Sequence, residues 1–249
     1  MLPAVVTTPT AAPYPPAGLR RRAAVVGSLV SGRPPLFARG ALTVSSVAIA
    51  RPRTLVLGDL IALNRSRAAQ VVTDVLLVVG AAGFVGALAQ ISIHLSFTPV
   101  PITGQTLGVL LAGTALGWRR AAAAMALYAV AGVAGVPWFA GASAGYASAS
   151  FGYIVGFFFA ATACGYLAGR GADRSILKSL PAMLVGEVII YALGLTWLAI
   201  DLHLGAAATL KDGLTPFLIG DAIKAAIAAG LLPLAWRMLP IGRQAESQD

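Results

Sequence analysis

The sequence predicts an all-α integral membrane protein, a bundle of six transmembrane helices with its N- and C-termini in the cytoplasm. Its 249 residues are 58% hydrophobic and only 11% charged, whereas a typical soluble domain has about 25% charged residues. Several apolar runs approach the roughly 20 residues that a helix needs to cross a bilayer. Basic residues are concentrated in alternate loops, which favours one orientation in the membrane.

Residues 1–70 are predicted to form a disordered N-terminal extension rich in Pro, Ala and Arg. Prolines interrupt this segment repeatedly, and its apolar content is too low to build a core. It contains nine Arg and one Asp, which accounts for most of the net charge of +9. Because it lacks interleaved aromatic residues and a recognisable nucleic-acid-binding fold, we expect no nucleic-acid partner.

Six apolar runs follow between residues 71 and 240, the predicted membrane-embedded domain, and residues 241–249 form a predicted cytoplasmic tail. The predicted spans are Thr73–Ile93, Gly104–Leu116, Ala121–Val136, Ser150–Leu167, Ala182–Ile200 and Leu214–Leu234. The runs are continuously apolar and lack the alternation of barrel strands. We therefore expect helices, which satisfy their backbone groups within one segment.

The orientation follows from the loop charges. Most basic residues fall on one side of the predicted spans: Arg65, Arg67, Arg119, Arg120, Arg170, Arg174, Lys178, Arg237 and Arg243. The three loops on the other side contain only Lys211, which Asp201 and Asp212 offset. Basic loops stay in the cytoplasm, so both termini are predicted to lie there.

Asp221 and Lys224 are the most informative residues, because they lie three residues apart inside the last apolar run. Ionisable side chains within a membrane span cost at least about 2.5–3.5 kcal/mol each, and they usually face the bundle interior or a wet cavity. The pair indicates a polar ligand site, although two charges that only neutralise each other would give the same pattern. Glu187 either pairs with Lys224 or a partner subunit, or lies at the cytoplasmic interface.

Other candidate ligand contacts come from two loops and the fourth span. Gln105, where a proline-rich loop meets the second span, offers a neutral hydrogen-bonding amide. Phe139, Tyr146 and Tyr153 are either interfacial anchors or apolar walls of a binding site.

The first span contains two pairs of small residues at four-residue spacing, Ala82 with Gly86 and Gly83 with Ala87. Small residues let helices approach closely, so this face serves either a partner protein or internal packing.

The residues indicate no enzyme, no metal site and no cofactor. His94 and His203 are the only histidines, and neither has a second ligand at metal-binding spacing. The phosphate-binding pattern G-x-x-x-x-G-K-[ST] does not occur in the sequence.

Five stretches, taken in order, resemble the BioY family of biotin-specific substrate-binding (S) subunits of energy-coupling-factor transporters. They are Pro99–Leu107, Gly135–Gly141, Gly152–Phe157, Tyr191–Gly194 with Trp197, and Phe217–Lys224. One departure precedes the third stretch, where Ser148-Ala149-Ser150-Phe151 replaces the Gly-Pro-Thr-Gly that is frequent in the family.

The resemblance implies a six-helix cell-membrane subunit that binds biotin and joins a transmembrane coupling protein and two ATP-binding-cassette ATPases. It assigns biotin to Asp221 and Lys224, and we expect Gln105, Phe139, Tyr146 and Tyr153 to complete the site. It implies that the coupling protein contacts the first span at Ala82, Gly83, Gly86 and Ala87. The alternatives are a solitary biotin transporter, an S subunit for another vitamin, and an intramembrane enzyme that uses Asp221 with Glu187.

Overall fold

The computed structural model describes residues 55–62 and 66–239. The predicted tail at residues 241–249, and the predicted extension as far as residue 54, lie outside the described residues. The elements are α1 (Leu57–Ala62), α2 (Arg67–Ala89), β1 (Ser92–Ile93), β2 (Ile102–Thr103), α3 (Gln105–Leu116), α4 (Trp118–Val133), a 3₁₀ turn (Ala140–Ala142), α5 (Phe151–Ala168), α6 (Ile176–Asp201), α7 (Ala206–Gly213) and α8 (Leu218–Met238).

The folded domain begins earlier than the sequence boundary at residue 71, since α1 and the first turn of α2 precede it. The Ser66 hydroxyl caps α2 by accepting a hydrogen bond from the Ala69 amide at 3.3 Å. Arg120 of α4 binds Asp59 of α1 at 2.6 Å and Asp74 of α2 at 2.8 Å. These ion pairs join residues that are distant in sequence, so composition alone could not reveal that α1 belongs to the bundle.

All six predicted spans coincide with helices of the described chain. Helices α2, α5, α6 and α8 are long and apolar enough to cross a membrane. Helix α3 has 12 residues and α4 has 16, or about 18 and 24 Å at 1.5 Å per residue, whereas the hydrocarbon core is about 30 Å thick. The count of six spans and the orientation of the termini therefore stay predictions.

Helix α5 is the centre of the bundle and packs against α3, α4 and α6. Two glycines allow this close packing. A Cβ atom on Gly113 would lie 2.8 Å from the Cα of Ala161, and one on Gly165 would lie 2.5 Å from the Trp118 backbone nitrogen. These distances leave no room for a side chain, as is typical of closely packed membrane helices.

The outside of the bundle is apolar. Large hydrophobic side chains that are at least half exposed occur on several helices: Val71, Leu76, Val130, Phe159, Val188, Ile219 and Leu234. A water-soluble monomer rarely exposes so much contiguous apolar surface. The surface is that of a multi-pass membrane protein.

The chain turns back at each connection, so α3, α5 and α8 begin at one end of the bundle, and α4 and α6 begin at the other. The arginines Arg119, Arg120, Arg170 and Arg174 lie at the end where α4 and α6 begin. At the opposite end, β1 pairs antiparallel with β2, Ser92 opposite Thr103. This small ribbon, the 3₁₀ turn and α7 lie at the end that contains the pocket described next.

Candidate functional site

A polar pocket opens at the end of the bundle where α3, α5 and α8 begin. It encloses about 550 Å³ of empty space, its open mouth included. Its lining comes from the α2–α3 loop, the connections before α5 and α8, and helices α3, α5, α6 and α8: Val100, Pro101, Thr103, Gln105, Thr106, Ala140, Ser150, Tyr153, Ile154, Phe157, Ile190, Tyr191, Phe217, Asp221 and Lys224.

Asp221 and Lys224 lie side by side in this pocket, as their spacing predicts. Lys224 Nζ is 2.8 Å from Asp221 Oδ1, and the two side chains are 19% and 10% exposed. Asp221 belongs to the first turn of α8, where a negative charge interacts favourably with the helix dipole.

Lys224 also joins α8 to the loop before α3. Its ammonium group donates to the backbone oxygen of Thr103 at 2.6 Å and to the hydroxyl oxygen of Thr106 at 3.3 Å. Pro99 and Pro101 restrict the backbone of this loop, which fixes the position of the Thr103 carbonyl. The lysine therefore has three oxygen acceptors within the protein.

The Asp221 carboxylate is likewise surrounded by donors. Thr106 donates to Oδ1 at 3.1 Å, and the Tyr191 hydroxyl of α6 donates to Oδ2. Three helices thus converge on one buried ion pair. A ligand that binds here must share or replace hydrogen bonds that the protein already makes.

Aromatic and aliphatic side chains form the pocket wall. The Tyr153 ring lies edge-to-face with Tyr191, 6.3 Å between ring centres. The Tyr153 hydroxyl donates to the Gly213 carbonyl at 2.7 Å, which ties α5 to the end of α7. Phe157 and Phe217 are almost fully buried and complete an apolar surface beside the charged pair.

Gln105 lines the pocket but is 5% exposed and already hydrogen-bonded. Its amide nitrogen donates to the Tyr128 hydroxyl at 2.7 Å, and its amide oxygen accepts from the Thr103 hydroxyl at 3.0 Å. The structure brings Gln105, Tyr153, Asp221 and Lys224 together, as predicted. Whether each contacts a ligand stays a prediction.

Phe139 and Tyr146, by contrast, do not line the pocket. Phe139 is 4% exposed, and its ring packs over Gly132 and edge-to-face against Tyr128, 5.2 Å between ring centres. Tyr146 is 62% exposed. The loop folds back on itself, with the Phe139 amide donating to Ser143 O at 3.0 Å, so Ala140 takes the lining position instead.

The small residues of α2 divide between two faces. Ala82 and Gly86 are buried within the bundle, and Gly86 lies against the Trp138 ring. Gly83 and Ala87 are exposed. Residues four apart share a face of a helix, and the structure covers the pair Ala82 and Gly86 while it exposes the pair Gly83 and Ala87. Partner binding at these four residues stays a prediction.

Four polar residues of the pocket lining were absent from the predicted ligand set: Thr103, Thr106, Ser150 and Tyr191. Thr106 and Tyr191 are the two that donate to Asp221. Both belong to the stretches that carry the family resemblance. A hydroxyl inside an otherwise apolar helix is the signal that would have suggested them, since such a group needs a partner.

Glu187 lies buried in the bundle, and of its predicted environments the described residues test only the ion pair with Lys224. It is 7% exposed, and within the described residues its two carboxyl oxygens are buried without a hydrogen-bond partner. It forms no ion pair with Lys224 there, whose carboxylate partner is Asp221.

The fold and the pocket define a multi-pass helical membrane protein with a polar pocket near one end. The model of the BioY family matches residues 59–241. The chain belongs to the BioY family.

Curated relatives agree with this assignment. The biotin transporter BioY of Rhizobium etli is 39% identical over 147 residues, which cover 55% of this chain and 78% of the relative. A probable biotin transporter BioY of Pyrococcus horikoshii is 38% identical over 143 residues, which cover 56% of this chain and 82% of the relative.

A crystal structure at 2.1 Å of the S-component for biotin from an ECF-type ABC transporter has a similar fold. The TM-score is 0.64 at 22% sequence identity, over 70% of this chain and 96% of that chain.

Proposed function

We propose that this chain is the biotin-binding S subunit of an ATP-driven energy-coupling-factor importer in the cell membrane. The observation that carries the proposal is the buried Asp221–Lys224 pair at a pocket beside an apolar wall. Relatives named biotin transporters, of which the chain covers about four fifths, support biotin as the cargo.

Biotin has chemical groups that match the pocket. Its ureido ring has N–H donors and a carbonyl acceptor, its thioether ring is apolar, and its tail ends in a carboxylate. Asp221 is placed to accept a ureido N–H, and Lys224 to donate to the ureido oxygen or to the carboxylate. Tyr153, Phe157 and Phe217 supply the surface against which the rings pack. A pocket with buried polar groups discriminates against ligands that leave those groups unpaired.

We place the pocket on the outer side of the membrane and the basic end in the cytoplasm. Arg119, Arg120, Arg170 and Arg174 lie at the end of the bundle opposite to the pocket, and basic residues favour the cytoplasmic side. Since the sequence lacks the phosphate-binding pattern, ATP hydrolysis is assigned to two partner ATPases. A transmembrane coupling protein connects them to this chain.

Calorimetric titration of the detergent-solubilised protein with biotin and a small panel of other vitamins tests the cargo. Asp221→Ala removes the carboxylate partner of Lys224 and the proposed acceptor for the ligand, and hydrogen bonds to charged groups contribute about 1.5–3 kcal/mol. Biotin affinity should therefore fall about 10- to 150-fold. Asp201→Ala, at the exposed end of α6, is the matched control. Unchanged affinity in Asp221→Ala, or tighter binding of another vitamin, would reject the assignment.

The exposed pair Gly83 and Ala87 is the proposed contact for the coupling protein. A Cβ atom on Gly83 would meet nothing within 4 Å, so Gly83→Leu should fold and bind biotin normally. We expect it to reduce co-purification with the coupling protein, whereas Ala222→Leu, exposed on α8, should not. Biotin uptake by cells that lack every coupling subunit would instead favour a solitary transporter.

A further inference from the structure

A groove of apolar side chains lies on the outer surface along α5 and α6 and shares no lining residue with the polar pocket. It is lined by Trp118, Phe159, Thr162, Ala163, Tyr166, Ile189, Ala192 and Leu193. The residues of each helix recur three or four positions apart and so share one face. The groove bounds about 1030 Å³, its open side included.

The surface of the groove is almost entirely apolar. Its one aliphatic hydroxyl, that of Thr162, donates to the Phe158 carbonyl within α5 at 2.6 Å. Phe159 and Tyr166 are 50% and 44% exposed. Large aromatic side chains with this much exposed surface favour an apolar molecule in the groove.

Two arginines stand at one end of the groove. The Arg119 guanidinium lies 5.1 Å from the centre of the Trp118 ring, and the Arg170 guanidinium lies 4.1 Å from that of Tyr166. Both rings line the groove. Gly165 brings α5 against the beginning of α4, so the two cations belong to the same end of the bundle. Within residues 55–62 and 66–239, neither arginine forms an ion pair with a carboxylate.

We propose that this groove binds one anionic phospholipid of the surrounding bilayer, with an acyl chain along the groove and the phosphate at Arg119 and Arg170. The stretch from Tyr166 to Phe159 is seven residues, or about 10 Å of helix, which extends from one interface toward the middle of a core about 30 Å thick. Guanidinium groups stacked on rings are oriented to bind phosphate oxygens. This lipid site is distinct from the proposed biotin site.

The charge of the headgroup is tested by native mass spectrometry of the purified protein. The probe is an equal mixture of phosphatidylglycerol and phosphatidylcholine with identical acyl chains. A basic residue near an anionic surface contributes about 1 kcal/mol, or about fivefold in binding, so the wild type should favour phosphatidylglycerol by up to about 25-fold. Arg119→Gln/Arg170→Gln should retain the two lipids about equally. The control Arg67→Gln/Lys178→Gln removes the same charge from exposed positions elsewhere and should keep the preference.

The apolar part of the site is tested by Ala192→Phe, which fills the groove and leaves both arginines in place. It should retain less phosphatidylglycerol than the wild type, while the thermal midpoint of each variant in detergent shows that it is folded. Equal retention of the two lipids by the wild type would overturn the proposal and favour a helix of a partner protein as the occupant. The proposal would also be overturned if Arg67→Gln/Lys178→Gln lost the preference for phosphatidylglycerol as fully as Arg119→Gln/Arg170→Gln. Any positive charge at that end of the bundle would then be enough to produce the preference.

Discussion

Replacing Lys224 by Met removes the cation from the buried ion pair and keeps a side chain of similar length. Asp221 then loses its positive partner at 2.8 Å, and the backbone oxygen of Thr103 loses a donor at 2.6 Å. We therefore expect Lys224→Met to destabilise the folded protein and to abolish biotin binding.

The magnitude follows from the burial of the pair. Breaking a buried ion pair by removing one partner costs about 3–5 kcal/mol, because the other charge stays buried and uncompensated. The two side chains retain 19% and 10% exposure, which favours the lower limit of about 3 kcal/mol. For a chain of this size, 1 kcal/mol shifts the thermal midpoint by about 2–4 °C. Lys224→Met should therefore unfold about 6–12 °C below the wild type.

The double variant Asp221→Asn/Lys224→Met separates stability from binding. Without the carboxylate there is no unpaired charge, so the double variant should regain most of the lost midpoint in the same detergent. It should still fail to bind biotin in a calorimetric titration, because both proposed ligand groups are absent. A double variant no more stable than Lys224→Met would refute the argument from the buried charge, and wild-type affinity would refute the ligand site.

Three further outcomes are expected. Gly165→Val forces a side chain against the Trp118 backbone nitrogen and should lower stability by about 1–3 kcal/mol or more, whereas Gly83→Val, which points into open space, should lower the thermal midpoint little. Tyr146→Phe should change biotin affinity by less than about twofold, since Tyr146 is exposed outside the pocket. Burial raises the pKa of the Asp173 carboxyl above its ordinary 3.8. The folded chain therefore keeps a proton that the unfolded chain releases, so the stability of the protein should fall as pH rises above about 4. Thermal melts at several pH values should show a smaller fall for Asp173→Asn.

Local patterns were sufficient to predict where the helices lie and which charged pair is buried. The length and apolar character of each run predicted the six main helices. The spacing of Asp221 and Lys224 predicted one helical face, because positions three apart are always neighbours on a helix. Four of the six predicted ligand residues line the pocket for the same reason: each lies on, or next to, the beginning of a helix that points into it.

Phe139 and Tyr146 show where such patterns fail. Both lie in a connection without regular periodicity, so which way a side chain points depends on contacts made elsewhere. Phe139 is buried because Gly132, on a different element, leaves space for its ring. The small residues of α2 show a different limit of sequence patterns. The sequence at Ala82 and Gly83 reveals two helix faces without large side chains, but only the packing of the bundle determines which face is buried.

The pocket's ion pair is held in place by hydrogen bonds within the protein. Thr106 and Tyr191 donate to Asp221, and the Thr103 carbonyl accepts from Lys224, which offsets the cost of keeping two charges within a membrane protein. Because these groups are already oriented, a ligand with complementary polar atoms binds without a large loss of side-chain freedom. A purely apolar molecule of the same size would have to displace charge-assisted hydrogen bonds and return none. In the proposed site, the groups that make the pair tolerable in the bundle are thus also the groups that would select a ligand with complementary polar atoms.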